Sequence, residues 1–369
     1  MRILVVNAGS SSIKLRLLDA EQIVASADLA AGAGGFDVDA MRDEVDDWPK
    51  PDVIGHRIVH GGTRYTAPVR IDAEVRAGLA SLTDLAPLHQ PKSLAALDAV
   101  TELFPDVPSV ACFDTAFHAT MPAEASTYPI PRRWRDEFGI RRFGFHGLSH
   151  AYASGRGAEM LGRPIEALRI VSCHLGAGAS LAAVAGGRSV DTTMGFTPID
   201  GLVMATRSGA LDPGIVLWLQ QHAGLLAGDV QHALEHASGL SAFGDTGDMR
   251  AVVAAAEAGD VDADLALSVY VHRLVGSVAS MTAALGGLDA LLFTGGVGEH
   301  APLVRSLTTD RLAFLGIAVD PRRNLAASGD VEISAVGSAV ATLVVEARED
   351  LQIAREVAAT LLPNASKIL

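Results

Sequence analysis

The chain has 369 residues, 49% of them hydrophobic, with 43 acidic against 29 basic side chains and a formal charge of −14 at pH 7. That length suits two ordinary domains and excludes a single small module, while the acidic excess argues against a nucleic-acid or anionic-membrane surface. The two cysteines, Cys112 and Cys173, lie in the apolar runs "SVACFD" and "IVSCHL" and read as reduced, packed thiols of a cytoplasmic protein, with neither a signal peptide nor an apolar span of membrane length.

Short β-branched runs alternate with helical patterns along the chain, which predicts an α/β protein with helix-covered sheets. The first element is "RILVVNAGSSSIKLRLLD" (2–19): a strand, a lone Asn7, a small-residue bend and a second strand. The stretch 24–50, with a Gly/Ala bend and the acids Asp43, Glu44, Asp46 and Asp47, reads as a solvated excursion without chemistry. Strands are expected at 3–7, 12–18, 53–59, 108–113, 169–174, 179–185, 290–294 and 340–345. Helical periodicity marks 93–104, 262–285 (stopping at Gly286-Gly287) and 349–362. The stripe of Tyr270, Leu274 and Val278 on the second of these reads as core.

One internal echo organises the rest. "ILVVNAGSSSIKLRLL" (3–18) and "IVSCHLGAGASLAAVAGG" (170–187) share a plan of strand, polar residue, Gly/Ala/Ser bend and strand, so two similarly built halves are expected. Their tips would offer backbone N–H groups and hydroxyls to an anion. From Gly9 to Lys14 there is no second glycine, so the first bend is not a Walker A loop and phosphate would rest on a β-hairpin.

Polar residues recur where strands end: Asn7, Arg57 with His60, Asp114, His174, and Thr294-Gly295-Gly296. In open α/β sheets ligands bind beyond the carboxyl ends of strands, so these residues are candidates for one site. Arg57 lies among apolar residues and Arg207 among small ones ("GLVMATRSGALDPG"), where a half-buried guanidinium calls for an anion such as a carboxylate or phosphate. With Asp114 and His146 they would suit a reaction between two anions. His146 and His150 are four apart, but H-E-x-x-H is absent and Gly147 between them argues for a loop, against zinc. Glu349 is the better candidate for a divalent ion with oxygen ligands, its bland alternative being an ordinary first-turn helix acid. "LLFTGGVGEH" (291–300) would let a base or sugar lie on bare backbone.

These residues resemble the acetate kinase family, within the superfamily of actin, sugar kinases and the Hsp70 ATPase. The blocks that carry the likeness, in order, are "NAGSSSIK" (7–14), "GHRIVHGG" (55–62), "APLHQP" (86–91), "FDTAFH" (113–118), "FGFHGLSH" (143–150), "DTTMGFTPIDGLVMATRSGALDPG" (191–214) and "FTGGVGEH" (293–300). The resemblance implies an actin-like (ribonuclease H-like) duplicated two-domain fold with an interdomain cleft. Its first domain would be 1–149 plus 350–369, carrying a returning C-terminal helix, and its second 150–349, binding nucleotide. It implies reversible transfer of the ATP γ-phosphoryl group to acetate, giving acetyl phosphate and ADP, with Mg²⁺ or Mn²⁺, in a cytoplasmic homodimer.

The family's roles fall on named positions. Asn7 and Glu349 match the metal neighbourhood, and Ser10, Ser12 and Lys14 the phosphates. Arg57, Asp114, His146 and Arg207 match the catalytic set. Arg57, Val59, Leu85, Phe145 and Pro198 match the acid site. His174, Gly176, Gly178, Asp248, Met249, Arg250, Gly296, Val297, Gly298 and His300 match the nucleotide side. Asp114 is expected to position an arginine or the acid, since acetate is already ionised at pH 7. Where the family has "HLGNG", "GTR", "GEN" and "TNEE", this chain has Ala177, Ala205, His300 and Ala347-Arg348-Glu349. Each lost neutral hydrogen bond would cost roughly 0.5–1.5 kcal/mol of nucleotide affinity. The alternatives are propionate or another short-chain acid as acceptor, pyrophosphate as donor, and a non-catalytic nucleotide-binding paralogue.

Overall fold

The structure, a computed structural model, describes residues 1–9, 12–30, 38–86 and 89–361. The strands are β1 (Arg2–Ala8), β2 (Ser12–Asp19), β3 (Gln22–Ala30), β4 (Val53–Ile58), β5 (Val69–Arg70), β6 (Ser109–Phe113), β7 (Arg169–Leu175), β8 (Ala179–Ala185), β9 (Arg188–Thr192), β10 (Ala290–Thr294), β11 (Val331–Glu332) and β12 (Ala341–Val344). The helices are α1 (Val38–Val45), α2 (Ala73–Ala80), α3 (Gln90–Leu103), α4 (Ala123–Ser126), α5 (Arg132–Phe138), α6 (Gly147–Met160) and α7 (Pro213–His222). They continue with α8 (Ala227–His236), α9 (Met249–Glu257), α10 (Val261–Leu285), α11 (Gly295–His300), α12 (Pro302–Arg311), α13 (Pro321–Leu325) and α14 (Glu349–Leu361).

Two six-stranded sheets repeat one plan, β3-β2-β1-β4-β6-β5 in the first and β9-β8-β7-β10-β12-β11 in the second. Each opens with an antiparallel meander, adds two parallel strands and ends on an antiparallel edge. The echo between 3–18 and 170–187 is thus the first hairpin of each sheet. The chain divides into two compact units: unit 1 holds Met1–Ala119, Phe145–Leu148 and the chain from Arg348 onward, and unit 2 holds Thr120–Gly144 and Ser149–Ala347.

In unit 1, Leu4, Val6, Ile13, Leu15, Leu17 and Ile54 form one buried face with Met41 and Val45 of α1 and Ala96, Ala99 and Val100 of α3. Successive strand residues point to opposite faces, and Gly55 turns to α14, which packs on β1, β4 and β6. A Cβ at Gly55 would stand 2.6 Å from Ile353 Cγ2 and 2.8 Å from Val357 Cγ2, so this glycine sets how closely α14 sits on the sheet. The stretch 24–50 is not the solvated excursion its composition predicts. β3 extends the sheet through Ser12–Asp19, and α1 buries Met41 at 0% and Val45 at 7% exposure. Asp43 and Glu44 are exposed on this two-turn helix, whose apolar pair lies inward, and Asp46 and Asp47 are exposed in the turn that follows it.

In unit 2, α10 packs on β7, β8 and β9 and buries Leu267, Tyr270, Val271, Leu274 and Val278, which is the core role its stripe predicts. Asp260 caps its start by accepting from the Ala263 N–H, and Gly286 ends it at φ +66°, a left-handed turn open to glycine at little cost. α7 (PGIVLWLQQH) differs: apolar in composition, it buries none of its own residues, leaving Ile215, Leu217 and Trp218 45–57% exposed. Among the described residues no helix is long and apolar enough to cross a membrane.

Candidate active site

The parallel order β1-β4-β6 brings three strand ends of unit 1 together, and with them Asn7, Arg57 and Asp114. Arg57 donates through Nε to Asp114 Oδ1 (2.9 Å) and through Nη2 to Asp114 Oδ2 (2.7 Å), a two-pronged grip that fixes the guanidinium plane. Its remaining Nη1 donates to Asn7 Oδ1 (3.1 Å) and lies 3.5 Å from Glu349 Oε2. Asn7 Nδ2 donates to that same Glu349 oxygen at 2.8 Å. The Arg57 and Asp114 side chains are 15% and 1% exposed, so the cluster is half open at Arg57 and closed behind it.

Burial opposes the charge on Arg57, but Asp114 and Glu349 outweigh it and hold the guanidinium above its ordinary pKa. Burial pushes the Asp114 carboxyl up, and the Arg57 fork and the His146 backbone N–H pull against that shift. His146 adopts φ +56°, a left-handed conformation uncommon for a side-chain-bearing residue, and it directs that N–H at Asp114. The next residue corrects a reading of the sequence: Gly147 opens helix α6 instead of marking a loop. A Cβ there would lie 2.3 Å from Asp114 O, the carbonyl that accepts the Gly147 N–H, and only glycine allows that approach. His150 lies on α6 with its ring between Ser172 (2.9 Å) and Ser180 (2.8 Å), and among the described residues no group of three or more His, Cys, Asp or Glu could hold a metal.

Elsewhere in unit 1, Val59 and Phe145 are 5% and 1% exposed, Phe145 edges against His60 at 5.4 Å, and Leu85 is half-buried. Ser12 and Lys14 lie on β2, with Lys14 opposite Asn7 in the ladder and Ser12 O accepting the Gly9 N–H at 2.8 Å. Ser10 lies outside the described residues, as do Pro87 and Leu88 of the "APLHQP" block. The oxygens of Glu349 and Asn7 form a hard donor set with one carboxylate, the kind Mg²⁺ takes together with phosphate oxygens and water. Asn7 and Arg57 hold Glu349 in place from the protein side, so the residues fit that ion.

In unit 2, a cavity of about 550 Å³ collects most of the residues expected on the nucleotide side: Gly176, Asp248, Met249, Arg250, Gly296, Val297 and His300 line it. Ala177, Ala205 and His300, three of the four departures from the family pattern, line it too, and the Ala205 N–H donates to Ala177 O at 3.0 Å. Met249 is buried, and Arg250 and Asp248 pair at 2.7 Å where α9 begins. Gly178 O accepts the Gly176 N–H (2.9 Å), closing the hairpin tip, and His174 Nδ1 shares a 2.7 Å hydrogen bond with Ser149 Oγ. Gly298 is buried and outside the cavity lining.

Arg207 is half-buried in unit 2 and donates to Pro198 O at 2.6 Å; burial lowers its pKa. The backbone around it is tied to the end of α8 by Ser208 N–H to Leu234 O and Ser238 N–H to Thr206 O. Sequence reasoning missed two groups. Glu356 of α14 has an Oε2 sealed from solvent without a hydrogen-bond partner, and burial raises its pKa to about 7. Arg305 is 1% exposed and bonded only to amide oxygens. Neither stands in a motif or on a periodic face, so no pattern marked them.

A family model described as "Acetokinase family" matches residues 36–355. An acetate kinase of Gloeobacter violaceus is 48% identical over 307 residues, covering 83% of this chain and 76% of that one. The crystal structure of Porphyromonas gingivalis acetate kinase superposes with a TM-score of 0.89 at 33% identity, covering 98% of this chain and 99% of that one. A propionate kinase from Francisella tularensis superposes with a TM-score of 0.88 at 35% identity, covering 96% and 98%.

Proposed function

From the premise that this chain belongs to the acetokinase family, we propose that the Arg57–Asp114 cluster is its acid-phosphorylating site and the 550 Å³ cavity its nucleotide site. The reaction is reversible transfer of the ATP γ-phosphoryl group to acetate. The observation that carries the site assignment is the two-pronged Arg57–Asp114 grip, with Asn7 and Glu349 on the remaining nitrogen.

Phosphoryl transfer to a carboxylate brings two anions together, so the chain's task is alignment and charge neutralisation more than covalent chemistry. Asp114 keeps both oxygens on Arg57 and does not act as a base, because acetate carries no proton to remove at pH 7. Its role is to hold the guanidinium plane so that the charge of Arg57 offsets the repulsion between acid and phosphoryl oxygens. The His146 imidazole donates to an equatorial phosphoryl oxygen. Val59, Leu85 and Phe145 of unit 1 face the methyl group of acetate. Glu349 and Asn7 would hold Mg²⁺, which would supply further positive charge to offset the negative charge of the phosphoryl oxygens. In unit 2, Gly176 and Gly296 offer bare backbone to the nucleotide, and Val297, Asp248, Met249 and Arg250 line the same cavity. The reduced cysteines, both buried, accord with a cytoplasmic enzyme, and the uncovered apolar face of α7 accords with a homodimer.

The test is acetyl phosphate formation from acetate and ATP, trapped as the hydroxamate, with and without Mg²⁺. Acetate- and Mg²⁺-dependent product is expected, and its absence with ATP overturns the reading. An extra methylene costs about 10–200-fold in an apolar pocket, so propionate is expected to react more slowly than acetate.

A further inference from the structure

Arg305 heads the large side chains that solvent does not reach, being 1% exposed. Buried guanidinium groups ordinarily sit against carboxylates. Here Nε donates to Asn324 Oδ1 (2.7 Å), Nη2 to Asn324 O (2.8 Å), and Nη1 to both Gly298 O (2.7 Å) and Glu299 O (2.8 Å). Every partner is a neutral amide oxygen, and burial pulls the Arg305 pKa down to about 10. A cation placed so unfavourably must be doing something that a neutral side chain could not.

Its location says what. Gly298 and Glu299 are the rear carbonyls of α11, where a helix leaves acceptors unpaired and its dipole is negative. Gly296, Val297 and His300 of the same helix line the 550 Å³ cavity. α11 has six residues and no side-chain bond at its N-cap, far too short to hold its own shape. Asn324 of α13 completes the brace by donating to Pro302 O (2.9 Å) and Ser306 Oγ (2.8 Å). One guanidinium and one amide therefore join α11, α12 and α13 behind the cavity wall.

We propose that Arg305, braced by Asn324, is a positioning residue for the nucleoside part of the phosphoryl donor, clamping α11 from behind so that Gly296 and Val297 meet the nucleotide at a fixed depth. This rests on reading the cavity as the nucleotide site. A lysine at 305 keeps the charge but cannot fork to two carbonyls and Asn324 at once.

The test uses the full-length enzyme with Arg305→Lys, Arg305→Met and Asn324→Ala. A loosening of α11 equivalent to one neutral hydrogen bond is worth about 2- to 10-fold, so each folded variant should raise KM for ATP and for ADP by about that factor, with KM for acetate unchanged. Amide hydrogen exchange over 295–300, read without nucleotide, should quicken in step. A merely structural role would lower Tm and the active fraction while leaving KM for ATP alone; that result, or unaltered exchange at 295–300 in a folded Arg305→Lys, overturns the proposal. Should both Arg305 variants fail to fold, Asn324→Ala decides by the same two readouts. Wild-type enzyme that binds no ATP or ADP overturns the proposal by removing its premise, whereas wild-type binding with unaltered variants removes the clamp alone.

Discussion

Gly55→Ala is the smallest change that should travel from the sheet to the metal ligand. The new methyl would stand 2.6 Å from Ile353 Cγ2 and 2.8 Å from Val357 Cγ2. Carbon atoms prefer about 3.5–4.0 Å, so α14 must retreat by roughly 1 Å. Both contacts belong to β-branched side chains, whose stiff χ1 lets them yield little. Overpacking of this kind costs about 1–3 kcal/mol, and at about 2–4 °C per kcal/mol for a unit of this size Tm should fall by roughly 2–12 °C. Glu349 opens α14 and accepts from Asn7 at 2.8 Å, so the retreat stretches the proposed Mg²⁺ seat. Displacements near 1 Å can cost up to about 10²-fold; the expected outcome is a rise of about tenfold in the Mg²⁺ concentration for half-maximal rate, with KM for acetate changed less. Adding Ile353→Ala removes the closer contact and should restore most of the Mg²⁺ dependence without restoring Tm, because it leaves a cavity. A Gly55→Ala enzyme whose Tm falls while its Mg²⁺ titration stays wild-type would refute the chain of reasoning from β4 to Glu349.

Asp114→Asn removes the ionic half of the grip on Arg57 and should lower kcat by about 10²–10³-fold; a wild-type pH–rate profile whose acidic limb is lost in the variant would instead make Asp114 a base. Three buried histidines, His56, His60 and His118, have pKa values lowered by burial from 6.5 to about 3, 4 and 4. The unfolded chain binds more protons than the folded one between about pH 4 and 6.5, so their contribution is present above 6.5 and lost as pH falls; the three together steepen acid unfolding by up to about 4 kcal/mol per pH unit, which thermal melts from pH 4 to 7 would measure. Glu356 works the other way: with its pKa raised from 4.5 to about 7 by burial, its contribution is lost as pH rises through 7. Glu356→Gln should therefore be stabilising by roughly 2–3 kcal/mol at pH 8 and neutral at pH 4, and equal melting shifts at both would disprove it. If α7 is the seam of the proposed homodimer, wild-type enzyme should sediment as a dimer and Trp218→Glu as a monomer with the fold retained.

Much of this was legible in the sequence because the relevant physics is local. The hairpin 2–19 shows alternating burial on β2 and a polar residue where β1 ends, and its echo at 169–185 forms the same hairpin in the second sheet. Asn7, Arg57 and Asp114 could be suspected as a group because strand ends of parallel neighbours meet. What failed was whatever depends on contacts distant in sequence or on a half-exposed edge. β3 has no fully buried residue, so its pattern reads as solvated although its backbone completes a ladder. Gly147 looked like a loop residue because its reason for being glycine is the Asp114 carbonyl, 33 positions away, and not the local turn. Arg305 and Asn324 gave no signal, since a polar residue reads as surface until the fold shows what surrounds it.

The return of α14 to the first sheet has a consequence for how the enzyme is made. The strands β1, β4 and β6 are complete by Phe113, yet the helix that covers them begins at Glu349, more than 200 residues later. At about 5–20 residues per second of synthesis, one side of that sheet waits on the order of 10–50 s for its cover. During that interval nascent chains carry Arg57 and Asp114 without the carboxylate beside them, so ribosome-bound intermediates should be inert as kinases and dependent on holding factors that shield bare β-structure.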